Sequence, residues 1–343
     1  MSSPTGTIVT VFLENLFTVL RILAPLFLLI LIGTLLKRKQ IIPPAAIPVL
    51  NGLVIYVTMP ALVILALAKA PELPSDYAKA TFCFFAATMG TMLLAYFAGR
   101  VCRLPRTIRG ALLMTASFGN SGFLGYPITL ARPLVAGVFP AAILLDEFGM
   151  TLPMYLSIVL VSGAFGGVSA THPGAGLHKP QGTVKTMLRF FRGPVFISIA
   201  LGLLARLVPW PAALLKIAPL PALGQITGQT LTYLGQGTTP IVLLAFGAAL
   251  RMGALRRFPL SVALSCGLKL IVTPLIAWGF CHLLHLPPHL TSLCVQMGAM
   301  PTAVMCSVLC TQNSLEGDMA VAIVFASTTL SMITVPLALT LLH

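Results

Sequence analysis

The sequence predicts an all-α polytopic membrane protein whose ten transmembrane helices fall into two inverted five-helix halves. Three observations predict it. Apolar residues make up 57% of the chain and charged residues 8%, against roughly 25% charged in soluble domains. Apolar runs of about the twenty residues that cross a bilayer recur along the chain, 16–36 and 80–99 among them. Lys and Arg gather in short segments between those runs, as the positive-inside rule requires. That distribution accounts for the net charge of +14 without any nucleic-acid partner.

The elements follow in order. The first run, 16–36, is followed by Lys37, Arg38 and Lys39. A signal peptide carries its basic residues before the apolar stretch, so this run is a retained span. The next spans are 45–68, 78–101, 110–132 and 138–162. A segment rich in Gly, Pro and His, 166–193, then links the halves 1–165 and 194–343 on the cytoplasmic side. The second half holds 194–208, which is short, then 229–250, 259–284, 290–311 and 319–341. With the N-terminus outside, fourteen basic residues fall in inner segments and six (Arg21, Lys69, Lys79, Arg132, Arg206, Lys216) at outer ends. Both termini are therefore expected to be periplasmic. The seven cysteines include no CxxC pair and read as small packing residues.

The halves correspond through their prolines. Pro25 answers Pro194, "TMPALVILALA" from Thr58 answers "TTPIVLLAFGA" from Thr238, "GYPITLA" answers "AMPTAVM", and Pro153 answers Pro336. The offsets are 169, 180, 174 and 183. An odd number of spans per half forces the second half to enter from the opposite side. Such inverted repeats mark secondary transporters, in which one helix per half breaks near the midplane and lines the substrate site. "GNSGFLGYP" (119–127) and "QMGAMPTA" (296–303) are at corresponding depths. Each break should expose half-helix amides that favour an anion. Asn120, Ser121, Gly122, Gln296, Met300 and Thr302 are the candidate substrate contacts, with Gly119, Gly125, Pro127, Gly298 and Pro301 shaping the crossover.

"FGNSGFLGYPI", "TTPIVLLAFGAAL" and "GAMPTAV" resemble the auxin efflux carrier family, including bacterial members described as malonate transporters. The resemblance covers nearly the whole chain. It implies an NhaA-like fold whose fourth and ninth helices cross at Pro127 and Pro301. Helices 1, 2, 6 and 7 would form a dimerising scaffold. Helices 3–5 and 8–10 would form a transport domain that moves as an elevator. The implied cargo is a small organic anion, a mono- or dicarboxylate. The chain lacks the long hydrophilic central loop of many plant members, which points to a bacterial inner membrane.

Asp146 and Glu147 lie in the fifth span and Lys269 in the eighth. Ionisable groups at such depth are costly and usually functional, so these are the candidate proton- or sodium-coupling residues. The competing readings put the acids in an outer vestibule and let Lys269 snorkel. Tyr56 could face the site from the scaffold or make an ordinary interhelical hydrogen bond. His282, His285 and His289 are spaced like metal ligands, but Pro287 and Pro288 break any helix there and no acid or Cys completes a shell. They read as interfacial. Trp210 and Trp278 read as belt residues. No metal or other cofactor is expected. An enzyme is disfavoured because no span carries paired catalytic groups. A non-transporting receptor or sensor on the same fold is the alternative.

Overall fold

The computed structural model describes residues 4–70, 73–132, 138–166, 188, 190–207, 220–250 and 257–342. Most of the expected linker, together with Trp210, Lys216 and His343, lies outside them. The described chain is helical. The helices are α1 (Pro4–Arg38), α2 (Ala46–Ala68), α3 (Asp76–Val101), α4 (Arg106–Ser117), α5 (121–131), α6 (Phe139–Phe165) and α7 (Pro194–Leu207). They continue with α8 (Leu220–Gln236), α9 (Thr238–Ala249), α10 (Pro259–Leu283), α11 (Pro288–Ala299), α12 (Val304–Gln312) and α13 (Gly317–Leu341).

Six of these helices are long and apolar enough to cross a membrane: α1 from Leu16, α2, α3, α6, α10 and α13. The four other expected spans depart from a single long helix for different reasons. Those at 110–132 and 290–311 are interrupted by extended residues, at 118–120 and 300–303. The one at 194–208 yields only the 14-residue α7. The one at 229–250 divides at Gly237 into α8 and α9. Lipid-facing positions carry large apolar side chains such as Phe17, Leu28, Leu31, Phe82 and Leu93, all exposed.

Four π turns widen these helices, at Val54–Thr58, Ser121–Gly125, Glu147–Thr151 and Leu268–Val272. Each ends two residues before a proline: Pro60, Pro127, Pro153 and Pro274. Proline has no N–H, and its ring crowds the carbonyl four residues back. A wider turn relieves that crowding, and such bulges gather at functional sites. Here they carry Thr58, Ser121, Glu147 and Lys269.

The strongest packing falls into two groups, joined where α1 also packs on α13. α1 packs on α9, and α7 and α8 pack on α2. In the other group α3 packs on α4 and α10, α10 on α11, and α12 on α13. Glycine permits the closest approaches in the first group. A Cβ on Gly33 would run into the Leu244 carbonyl, and one on Gly202 would stand 3.2 Å from the Ile64 carbonyl oxygen. Two loops in the second group share one turn. Arg103 and His285 both take φ 51°, closing α3 and α10. The next amides reach back, Leu104 N–H to Gly99 O at 3.0 Å and Leu286 N–H to Cys281 O at 2.9 Å, the six-to-one bond of a left-handed helix cap. Pro105 and Pro287 follow.

Candidate functional site

The two interruptions meet. Gly119 pairs with Thr302 in antiparallel sense. The Asn120 N–H donates to Pro301 O at 2.7 Å, and the Ala303 N–H donates to Phe118 O at 3.0 Å. The second break is where the sequence places it, and Pro301 is inside it. The first differs from expectation. The crossing runs through Phe118–Asn120, and Pro127 sits seven residues further on than Asn120, in the first turn after the π turn. Proline is tolerated at the start of a helix because the first amides have no acceptor anyway. Pro127 therefore does not mark the crossing, and Gly119 rather than Pro127 faces the second break.

The crossing leaves some polar groups unused and commits others. Among the described residues, no backbone acceptor meets the amides of Ser121, Gly122 or Phe123, which open α5, and the buried Asn120 side-chain Nδ2 has no partner. Thr302, by contrast, is engaged: its hydroxyl donates to Thr115 O at 2.8 Å, and its amide donates to Ser327 Oγ at 3.1 Å. Met300 is buried and apolar, packed near Gly125. Ser121 Oγ donates to Asp146 Oδ1 at 2.5 Å. Asp146 also leans on the π turn, since a Cβ on Gly122 would come 3.1 Å from its Oδ2. Glu147, the next residue, is buried too. Among the described residues neither carboxyl has an ion-pair partner.

Lys269 is buried at the crossing, so it does not snorkel to an interface. Its Nζ donates to Gly298 O at 2.9 Å. That carbonyl belongs to the last turn of α11, where the helix dipole and unpaired carbonyls favour a cation. The stem of Lys269 fills the space against Gly119, where a Cβ would lie 2.9 Å from Lys269 Cε. A side chain at position 119 would have to displace the Lys269 ammonium end and would press on the Met300 carbonyl oxygen at 3.3 Å.

Sequence reasoning missed Arg132. It reads as an outer-end basic residue, yet it is only 8% exposed. Its Nη1 donates to Gln296 Oε1 at 2.8 Å and its Nη2 to Ser292 Oγ at 3.1 Å. Gln296 Nε2 in turn donates to Thr129 Oγ1 at 2.6 Å. The network ties α5 to α11, and Gln296 has no free hydrogen-bonding arm left for a ligand. Ser292 and Gln296, four residues apart on one helix face, were the available signal. Tyr56 is 71% exposed, away from the buried crossing. His282 stacks on Trp278 at 4.1 Å between ring centroids, and His285 makes the turn described above.

A cleft of about 390 Å³ lies between the end of α9 (Ala249, Leu250) and the pair α12–α13, bordered by Val304, Ser307, Thr311 and Phe325. Val304 is the first residue after the crossing.

Comparison with known proteins agrees with this architecture. A family model described as membrane transport protein matches residues 18–161 and 181–339. An uncharacterized transporter of Methanothermobacter thermautotrophicus is 29% identical over 336 residues, covering 95% of this chain and 98% of its own length. An uncharacterized transporter of Methanocaldococcus jannaschii is 25% identical over 313 residues, covering 90% and 94%.

Proposed function

Since the chain belongs to the membrane transport protein family, that of the auxin efflux carriers, we propose that it carries a small organic anion, a mono- or dicarboxylate such as malonate, by elevator-type alternating access. The observation that carries this reading is the crossing itself. Two membrane helices stop, meet through main-chain bonds, and among the described residues leave three helix-opening amides without a backbone acceptor and the Asn120 side-chain Nδ2 without a partner. Broken backbone is tolerated at membrane depth where it lines a cavity. Amides at a helix N-terminus favour a negative charge there.

The division into a static scaffold (α1, α2, α7–α9) and a moving transport half (α3–α6, α10–α13) rests on an inverted repeat. Three correspondences support it. Gly33 packs on Leu244 as Gly202 packs on Ile64, and these pairs are related by the offsets 169 and 180 that already relate the prolines. The Arg103 and His285 turns are identical in φ and lie 182 residues apart. Gly119 and Thr302, the paired residues, lie 183 apart, the offset of Pro153 and Pro336. The α9–α12–α13 cleft is lined by Leu250, which in sequence directly precedes the basic segment that begins at Arg251, and we read it as the cytoplasmic mouth of an inward-open state. The scaffold dimerises, and both termini face the periplasm of a bacterial inner membrane.

Coupling runs through Asp146. Ionised, it holds the Ser121 hydroxyl. Once it takes up a proton, that hydroxyl is free to turn to the substrate. Lys269, held on the Gly298 carbonyl, supplies fixed positive charge beside the anion.

Three outcomes test this reading. Liposomes holding the purified protein should take up one or more labelled small carboxylates, and uptake should respond to a pH or a sodium gradient. Saturable binding without flux would make the protein a receptor. Asn120→Ala should weaken binding by about 1–3 kcal/mol, the loss expected when a buried carboxylate loses a donor. Unchanged affinity and flux in the folded variant would remove Asn120 from the site. Alkaline phosphatase fused after His343 should be active, and an inactive fusion would overturn the ten-span topology.

A further inference from the structure

We propose that Thr58 and Thr238, one on each of the paired scaffold helices α2 and α9, form the static half of the substrate site and donate hydrogen bonds to the carboxylate held at the crossing. The proposal rests on the anion-carrier reading above and adds the scaffold groups that select the cargo.

Both hydroxyls are buried, at 3% and 1% residue exposure, and neither has a hydrogen-bond partner among the described residues. That is unusual for threonine in a helix, which can bond the carbonyl four residues back. In this protein Thr88, Thr91, Thr115 and Thr129 all do so. Thr334 also has no partner but is only part-buried. The backbone explains the exceptions. Thr58 closes the π turn Val54–Thr58, and Thr238 is the first residue after the break at Gly237. Each stands two residues before a proline, Pro60 and Pro240. The offset between them is the 180 that relates the two scaffold helices.

The two threonines are near each other and near the crossing. A Cβ on Gly237, next to Thr238, would lie 3.9 Å from Thr58 Cγ2, and a Cβ on Gly122 would lie 4.0 Å from Met59 Cε. α9 packs against both the Val54–Thr58 turn and the Ser121–Gly125 turn. A third unpartnered polar group, Asn120 Nδ2, belongs to the same crossing. Buried polar groups are costly unless something bonds them. Two hydroxyls and an amide from three elements, all neutral, suit a carboxylate that must also be released. Two fixed cations at the same place would hold it too tightly.

The test is thermal unfolding of the purified protein in detergent, titrated with malonate, succinate or benzoate. Thr58→Val and Thr238→Val keep shape and replace an unpartnered hydroxyl with a methyl. Without carboxylate they should unfold at or above the wild-type temperature. The apparent Kd for whichever carboxylate stabilises the wild type should rise about tenfold in each variant, one hydrogen bond's worth. Thr58→Ser should stay near wild type. Wild-type Kd in both valine variants overturns the assignment, whether their stability rises or falls. Should a valine variant not fold, Ala at that position, assayed as flux per folded protein, gives the same decision. If none of the three carboxylates stabilises the wild type, the anion reading itself fails and this assignment falls with it.

Discussion

Asp146→Asn should abolish accumulation driven by a pH gradient while substrate exchange across the same liposomes persists. Asn has the shape of Asp and can still accept the Ser121 hydroxyl bond, so the π turn that Asp146 supports should survive. What it cannot do is carry a proton. The geometry makes Asp146 the stronger candidate of the two acids, because it alone touches the crossing, through Ser121 Oγ at 2.5 Å. Neither acid has an ion-pair partner among the described residues. Lys269, also buried at the crossing, is turned to Gly298 O. A carboxyl buried in a membrane without a cation needs another way to meet its cost, and a travelling proton or sodium ion provides one. Glu147→Gln is the companion measurement, with sodium gradients as well as pH gradients. Wild-type ion dependence in both single variants and in the double variant would leave the protein a uniporter, or coupled elsewhere.

Pro301→Ala should lower flux per folded protein by roughly tenfold or more, the effect of about 1.4 kcal/mol of lost alignment, and should do more harm than Pro127→Ala. Pro301 keeps Met300 extended, at ψ 141°, because a residue before proline avoids helical geometry. Alanine restores the missing N–H and allows α11 to wind on through 300–303. The carbonyl that receives Asn120 N–H and the amide that reaches Phe118 O would then both turn away. Pro127 follows the crossing, so its loss relaxes only the Ser121–Gly125 turn. The Pro301→Ala protein should remain in the membrane and resist heat at least as well as wild type, since a continuous helix is locally favoured. Equal flux in the two variants, or the reverse order, would show that the break at 300–303 does not make the site.

Much of this was readable from residue patterns. The long apolar spans and the interruption at 300–303 follow from hydropathy and from where Gly and Pro fall, whereas the burial of Lys269 and the two acids is one of two readings that the sequence leaves open. What was not readable depended on the π turns. An extra residue in a turn rotates every later side chain by about 100°, the angle per residue of an α-helix. Face assignments made at constant helical pitch therefore fail beyond it. Position 127 misled because proline both breaks helices and opens them. Arg132 misled because an arginine at the end of an apolar run looks like a loop residue until its partners, 160 and 164 residues away in sequence, are brought to it. The Ser121–Asp146 contact likewise joins separate helices and has no local signature.

The joint between the two breaks consists of two main-chain hydrogen bonds, Asn120 N–H to Pro301 O and Ala303 N–H to Phe118 O. Neither bond uses a side-chain atom, so a substitution nearby leaves the joint standing wherever the backbone keeps the course that Pro301 holds and Gly119 makes room for. If side chains around the crossing choose the cargo and the driving ion, as proposed, they can drift under selection without dismantling it. A lineage could acquire a new substrate by exchanging a few side chains around an unchanged hinge.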